Sequence, residues 1–388
     1  MGVSRWTQTQ LESGGWVRRM FEEGQRLRLV HGDAAVIDLS LGQPLAAGSA
    51  IADAFREAAS ERFAGRFEYM PNLGYLDVRE RTARDVDHPG VTASCIAMTP
   101  GAAAATCIAI RTFVESGEDI IGTTPHFAEY RLYAETAGAR FVPVAARPDM
   151  TLDLDAIAAA LGRSTAAVLL NSPCNPSGHV LQHEELHGVA ELLRAHEART
   201  GRRVLLIVDE VYRRLLYPPQ QRLEPFAYYE NTVLARSFSK DLGIAGERIG
   251  YLAVHPAIAG DAVTRGLELA MRALGFVNAP ATAQRALLHL DDWGINVTPY
   301  RERRDLIVEG ARAQRLDIVE PQGGIYLWLR SPFADALRFV EELAERRVLV
   351  VPGVAFGSPD HVRLCFSYAR EKLRSALEVI ASMAPAPA

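Results

Sequence analysis

The central part of the chain alternates short, almost wholly apolar runs with longer amphipathic stretches, and this alternation constrains the fold most strongly. Short apolar runs of this kind are typical of strands that are buried on both faces. The stretches between them place apolar residues at helical spacing. The alternation therefore predicts an α/β fold in which helices cover a mostly parallel, seven-stranded sheet. The seven predicted strands lie in VTASCIAMT, EDIIGTT, ARFVPVAA, TAAVLLN, RVLLIVDE, TVLARSF and RIGYLAV.

The two ends of the chain have a different pattern. After about residue 257 the sequence turns helical, and beyond about residue 315 strand-like segments such as IYLWLR and VRLCFS alternate with helices. The N-terminal part adds one amphipathic candidate helix, VRRMFEEGQRLRL, and the strand-like VIDLSLGQP. A chain of 388 residues is long enough for two domains. We expect a large domain at 45–285 and a smaller α+β domain built from 1–44 and 286–388.

Charge and composition argue against several classes of function. The formal net charge is −5, so the chain lacks the basic surface that binding to nucleic acid or an anionic membrane needs. No apolar run reaches the roughly 18 residues of a membrane span, and MGVSRWTQTQ lacks a signal-peptide core. The four cysteines and ten histidines show no metal-ligand spacing, which predicts free thiols and no metal site. We expect a cytoplasmic protein.

Chemically specific residues follow the predicted strands, at the sheet edge where open α/β folds bind ligands. NSPCNPSG follows one strand, Asp209 and Tyr212 follow the next, and Ser239 and Lys240 follow TVLARSF. Upstream, Gly101 lies at a strand-to-helix junction, where free N–H groups suit a phosphate. Each feature alone is common, since aspartates cap helices and lysines are usually at the surface. Their order and spacing together are specific.

Taken in order, these segments resemble the fold-type I enzymes that depend on pyridoxal 5′-phosphate (PLP), specifically the aspartate-aminotransferase-like class I and II aminotransferases. The resemblance runs from about Asp38 to the last helix. It implies PLP as the cofactor and a PLP-binding large domain. It also implies that the chain is an enzyme that moves an amino group between an L-amino acid and a 2-oxo acid.

The resemblance implies cofactor roles for particular residues. Lys240 matches the Schiff-base lysine, Asp209 the carboxylate that pairs with the pyridine nitrogen, and Tyr212 and Asn175 the donors to the phenolic oxygen. The remaining matches are Phe127 against the ring, Gly101, Ala102, Ala103, Ser237 and Arg248 at the phosphate, and Ser239 beside the lysine. The residue types suit this chemistry, because a carboxylate keeps the ring nitrogen protonated and the cofactor then accepts electrons from the substrate Cα. The lysine amine moves the proton.

Substrate binding and assembly are also implied. Arg363 matches the arginine that grips the substrate α-carboxylate with a planar fork, beside Asn175 and the glycine turn at Gly42. Tyr69 matches a tyrosine that reaches the phosphate of the neighbouring subunit's cofactor, which implies a homodimer with shared sites. The family pattern is not complete, because Ser177 stands where threonine is usual. The loop after Gly101 also offers no hydroxyl, so backbone N–H groups would hold the phosphate there.

Several alternatives stay open at this level. The same residues serve relatives that carry out β- or γ-elimination or replacement, including enzymes acting on S-adenosylmethionine. A PLP-binding transcriptional regulator would need a DNA-binding domain, for which too few residues precede the core. A nucleotide-binding oxidoreductase is disfavoured because no G-x-G-x-x-G follows a strand near the start. The residue that recognises the distal group of the substrate is not identified. The candidates are Arg18, Arg19, Arg26 and Arg28 for an acidic group, or Phe127, Tyr130, Trp16 and Tyr326 for an apolar pocket.

Overall fold

A computed structural model describes residues 2–13, 15–63 and 66–383, which contain thirteen strands and fourteen α-helices. The strands are β1 (Ile37–Asp38), β2 (Ile96–Thr99), β3 (Asp119–Thr124), β4 (Arg140–Ala145), β5 (Thr165–Asn171), β6 (Leu205–Asp209), β7 (Thr232–Ser237), β8 (Gly250–Val254), β9 (Ile318–Val319), β10 (Tyr326–Arg330), β11 (Val348–Leu349), β12 (Val351–Pro352) and β13 (His361–Cys365). The helices are α1 (Arg5–Ser13), α2 (Trp16–His31), α3 (Ser49–Ser60), α4 (Leu76–Asp85), α5 (Ala102–Phe113), α6 (Tyr130–Thr136), α7 (Leu154–Ala160), α8 (His183–Thr200), α9 (Phe238–Asp241), α10 (Asp261–Leu274), α11 (Ala281–Ala286), α12 (Thr298–Ala313), α13 (Ala336–Glu345) and α14 (Arg370–Met383).

The predicted seven-stranded sheet is confirmed, in the order β2-β8-β7-β6-β5-β3-β4. Only β8 runs antiparallel to its neighbours, so the sheet is mostly parallel. Side chains alternate between the two faces of a strand. In β5, Ala167 and Leu169 therefore pack with α5 and α10, while Val168 and Leu170 pack with α8. Because both faces are covered, the strands carry continuous apolar runs.

Two predicted strands are shorter than their apolar segments. In VTASCIAMT the strand begins only at Ile96, because the backbone of Thr92 to Cys95 forms a turn. The hydroxyls of Thr92 and Ser94 hydrogen-bond to each other at 2.8 Å within that turn. In VIDLSLGQP the strand ends at Asp38, because Asp38 Oδ1 accepts from the backbone N–H of Ser40 at 3.1 Å. Short polar side chains that bond to the nearby backbone compete with strand pairing.

A second, antiparallel sheet has the order β12-β13-β10-β9 and packs against α12, α13 and α14. The N-terminal segment joins this part of the chain, because β1 pairs in parallel with β11. The guanidinium of Arg28 in α2 also pairs with Asp38, with 2.6 Å between Nη2 and Oδ2. The division of the chain at residues 45 and 286 stays a prediction.

The fold brings the carboxyl ends of β5, β6 and β7 to one edge of the large sheet. Asn171 lies opposite Asp209 in the pairing of β5 with β6, and Ser237 ends β7. Within the described residues, no helix is both long and apolar enough to cross a bilayer. Among the same described residues, no group of three or more histidine, cysteine, aspartate or glutamate side chains is placed to hold a metal ion.

Candidate active site

A cavity of about 270 Å³ opens at this edge of the sheet. It is lined by twelve of the fourteen predicted site residues, namely Gly42, Ala102, Ala103, Phe127, Asn175, Asp209, Tyr212, Ser237, Ser239, Lys240, Arg248 and Arg363. Gly101 directly precedes Ala102 and is not itself part of the lining. Tyr69 is fully exposed and does not line this cavity. The structure therefore brings together residues that are up to 321 positions apart, from Gly42 to Arg363.

Lys240 projects from α9, directly after β7. Ser237 caps this short helix, because its hydroxyl accepts from the backbone N–H of Ser239 at 3.1 Å. The lysine Nζ donates to the backbone carbonyl of Gly42. Burial, aided by the positive charges of Arg363 and Arg248, lowers the pKa of Lys240 to about 8. Roughly a tenth of such an amine is neutral at pH 7, whereas an ordinary lysine is almost wholly charged.

Asp209 ends β6 and is buried. Its Oδ2 accepts from the hydroxyl of Tyr130 at 2.6 Å, but its Oδ1 is buried with no hydrogen-bond partner among the described residues. Burial raises the pKa of this carboxyl to about 6. An unpaired buried oxygen is costly, so the site suits a ligand that brings an N–H donor to Oδ1. A protonated ring nitrogen is such a donor, and its positive charge would also favour the ionised carboxylate.

The N-terminus of α5 forms the opposite end of the cavity. Gly101 precedes this helix with φ at +88°, a conformation that favours glycine, and a Cβ there would lie 2.8 Å from Nη2 of Arg248. The guanidinium of Arg248 donates to the carbonyls of Ala245 at 2.9 Å and Pro100 at 3.1 Å. Helix N–H groups, a guanidinium and the hydroxyl of Ser239 meet here, and Ser237 supports this hydroxyl by donating to Ser239 Oγ at 2.9 Å. This donor set fits a phosphate.

Arg363 lies in β13 and is held from four directions. Its Nη1 donates to Asn175 Oδ1 at 2.9 Å, and its Nη2 donates to the carbonyl of Ser40 at 2.6 Å. Its guanidinium carbon is 4.1 Å from the ring centre of Tyr326 and 4.8 Å from that of Phe356. The Nε is buried without a partner among the described residues. A guanidinium fixed in this way presents a preformed fork for a carboxylate.

Gly42 and two tyrosines form the wall beside this arginine. The hydroxyl of Tyr212 donates to the hydroxyl of Tyr326 at 3.3 Å, and the two rings meet edge to face. A Cβ at Gly42 would lie 1.8 Å from the Tyr326 hydroxyl oxygen. A side chain at residue 42 would have to displace the buried Tyr326 ring, so the wall beside Arg363 favours glycine at this position.

Two residues of the site were not predicted in the roles that they have. Tyr130 was expected only as part of an apolar pocket, yet its hydroxyl holds Asp209. Asn171 accepts from the backbone N–H of Asn175 at 2.7 Å and donates to the carbonyl of Asp209 at 2.8 Å. Because Asn171 is the last residue of β5, the sequence could have predicted that its side chain lies at the ligand-binding edge of the sheet. Tyr130 and Asp209 are 79 positions apart in the sequence, so no local sequence pattern predicts the hydrogen bond between them.

The candidate arginines for an acidic substrate group do not line the cavity. Arg28 pairs with Asp38, Arg26 with Glu23 and Arg18 with Glu22, and Arg19 donates to the carbonyl of Leu11. Of the candidates for an apolar pocket, Phe127 and Tyr326 line the cavity, while Trp16 lies beside a neighbouring chamber.

Known proteins share this sequence pattern and this fold. Residues 34–380 match the family described as aminotransferase class I and II. The probable aspartate aminotransferase of Methanocaldococcus jannaschii is 27% identical over 364 residues, covering 89% of this chain and 92% of the relative. The aspartate/prephenate aminotransferase of Thermus thermophilus is 30% identical over 338 residues, covering 83% and 85%.

Solved structures agree with these relatives. The crystal structure of an amino transferase from Eubacterium rectale has a TM-score of 0.90 at 29% identity, covering 99% of this chain and 100% of that one. The aspartate aminotransferase from Thermus thermophilus with maleate has a TM-score of 0.86 at 26% identity, covering 98% and 99%.

Proposed function

We infer the function from one premise, that this chain belongs to the class I and II aminotransferase family. The chain is therefore an enzyme that transfers an amino group between an amino acid and a 2-oxo acid. The relatives named above are aminotransferases, and nothing among them supports elimination or replacement. The proposal adds the cofactor, the roles of the residues and the assembly.

The proposed cofactor is PLP, which when bound supplies an electron sink for the charge that develops at the substrate Cα. Asp209 would pair through its free Oδ1 with the ring nitrogen, on the observation that this oxygen is buried without a partner among the described residues. Lys240 would hold the cofactor covalently, and Phe127 would lie against the ring. The phosphate would be held by the cradle described above, namely Gly101, Ala102, Ala103, Ser237, Ser239 and Arg248.

The polar residues around Lys240 would divide the remaining work. Asn175 uses its Oδ1 to accept from Arg363, which leaves its amide N–H groups free to donate to the phenolic oxygen. The Tyr212 hydroxyl, whose proton points to Tyr326 in the free chain, would turn that proton to the same oxygen. Arg363 would bind the substrate α-carboxylate beside Gly42. The amine of Lys240 would then take the proton from the substrate Cα, a step that its lowered pKa favours near neutral pH.

A single half-reaction tests the proposed transfer. The PLP-loaded protein is mixed with one amino acid at a time, and the cofactor and the products are analysed. Transamination converts the cofactor to pyridoxamine phosphate and yields one equivalent of the 2-oxo acid. Release of ammonia with the cofactor still as PLP would instead indicate elimination.

The pH dependence of cofactor loading follows from the pKa of Lys240. Only the neutral amine attacks an aldehyde, so we expect the rate of PLP incorporation into the apoprotein to rise with pH and to level off above about 8. Stopped-flow absorbance at fixed PLP concentration measures this rate. A rate that still rises steeply between pH 9 and pH 10, as for an ordinary lysine, would contradict the lowered pKa.

We also propose a homodimer with shared sites, in which Tyr69 reaches the phosphate of the partner's cofactor. Tyr69 and nearby Phe67 are almost fully exposed in the single chain, which supports an interface there. Sedimentation of the PLP-loaded protein tests this, since a monomer with tightly bound cofactor would contradict it.

A large domain at 45–285, with 1–44 and 286–388 forming the small one, is part of the same proposal. The four free cysteines support a cytoplasmic location.

A further inference from the structure

A second chamber, of about 250 Å³, lies beside the active-site cavity. Val17 of α2 lines both spaces, so the chamber and the cavity adjoin at this residue. Its other walls come from the start of α2, from 126–132 and from 354–357. The chamber is large enough for an amino-acid side chain and lies next to the predicted substrate position.

Glu129 is the chamber's distinctive residue. Its Oε2 is buried and has no hydrogen-bond partner among the described residues. Burial raises the pKa of Glu129, while the positive charge of Arg363 acts in the opposite direction. Glu129 lines the chamber and Arg363, which is proposed to grip the substrate α-carboxylate, lines the cavity, and the two spaces adjoin at Val17. One molecule that contacts both residues would be an amino acid with its side chain in the chamber.

The other charged groups of the chamber do not neutralise Glu129. Arg18 pairs with Glu22 at 2.8 Å and is 83% exposed, and Arg131 pairs with Glu135 at 2.7 Å. His126 donates through Nδ1 to the carbonyl of Phe127 at 2.9 Å, and burial lowers its pKa. A neutral imidazole in this tautomer keeps Nε2 as an acceptor. The chamber therefore offers acceptors, among them the buried Oε2 of Glu129, which has no partner among the described residues.

We propose, on the basis of the aminotransferase function above, that this chamber receives the substrate side chain and that Glu129 selects a cationic nitrogen at its end. The substrate class is an amino acid whose side chain carries an amine or a guanidine. Such a group would supply the hydrogen bond that Oε2 of Glu129 lacks and would bring an opposite charge into the chamber. An acidic side chain would place a like charge beside it, so aspartate and glutamate are disfavoured.

The test compares substrates within each variant. For the PLP-loaded enzyme, kcat/KM is measured for ornithine, for norleucine, which has the same side-chain length without the charge, and for glutamate. We expect ornithine to be preferred. Glu129→Gln should lower the ratio of ornithine to norleucine about thirtyfold or more, the lower range for removing one partner of a buried charge pair. Glu191→Gln, which removes a carboxylate of α8 that pairs with Arg194 and lines neither the chamber nor the cavity, should leave this ratio unchanged.

A binding measurement separates recognition from turnover. The ligand 5-guanidinopentanoate, which is arginine without its α-amino group, is titrated calorimetrically into the loaded wild-type protein and the Glu129→Gln variant. Hexanoate, which keeps the carboxylate but has an uncharged tail, is the reference. We expect the variant to weaken only the guanidino ligand. Equal use of ornithine and norleucine, with ratios and affinities unaffected by Glu129→Gln, would overturn the assignment. Conversion of no amino acid at all would instead refute the proposed function.

Discussion

Lys240→Ala is expected to lower the rate of the half-reaction by on the order of a thousandfold or more. The amine of Lys240 is the only lysine amine in the cavity, and its pKa of about 8 leaves a usable neutral fraction at physiological pH. Alanine removes both the covalent link to the cofactor and the group that moves the proton. The remaining cofactor contacts are untouched, so PLP binding should be partly retained. Single-turnover absorbance of the loaded variant with an amino acid measures the loss.

The chain offers a matched control for this variant, because its sequence contains only one other lysine, Lys372. That side chain donates to the carbonyl of Val36 and does not line the cavity. Lys372→Ala should transaminate at close to the wild-type rate. Near-normal turnover by Lys240→Ala would contradict the assignment of the lysine.

Arg363→Ala is expected to weaken amino-acid binding by about 2–5 kcal/mol, which is roughly 30- to 4,000-fold in affinity. The guanidinium is buried, stacked between Tyr326 and Phe356 and fixed by Asn175 and Ser40. Removing it would leave the substrate carboxylate without its buried partner. Spectral titration of the loaded variant with an amino acid measures the change in apparent affinity.

Arg363→Lys separates loss of charge from loss of shape. Lysine keeps one positive charge but cannot form two parallel hydrogen bonds to a carboxylate. We expect an affinity between those of the wild type and Arg363→Ala, with PLP still bound in both variants. An unchanged affinity in Arg363→Ala would show that the carboxylate is bound elsewhere.

The large sheet was predictable because a strand that is covered on both faces appears in the sequence as a run of apolar residues between helical patterns. The ends of the strands were less predictable. At Thr92 and Ser94, and again at Asp38 and Ser40, short polar side chains bond locally and end the pairing. Such competition depends on geometry that apolar patterning does not encode.

Some residues of the site were likewise predictable from the sequence and others were not. Asp209 and Lys240 were found because each lies at or just after the end of a buried strand, and parallel strands place their ends together. Ser237 was assigned through the family resemblance. The hydroxyl of Tyr130 and the unpaired carboxyl of Glu129 had no comparable signal. Their importance lies in what surrounds them after folding, respectively the carboxylate of Asp209 and a chamber closed partly by α2. Sequence patterns predict which element a residue belongs to better than which distant group it meets.

The most direct test of the account is to locate the cofactor's covalent link. The PLP-loaded protein is reduced with borohydride, digested, and the modified peptide is identified by mass spectrometry. The chain contains two lysines, Lys240 and Lys372, so the modified peptide shows directly which of the two carries the cofactor. We expect the phosphopyridoxyl group on Lys240 alone, with loss of the yellow absorbance on reduction. A protein that binds no PLP, or that carries the adduct on Lys372 and not on Lys240, would contradict the account.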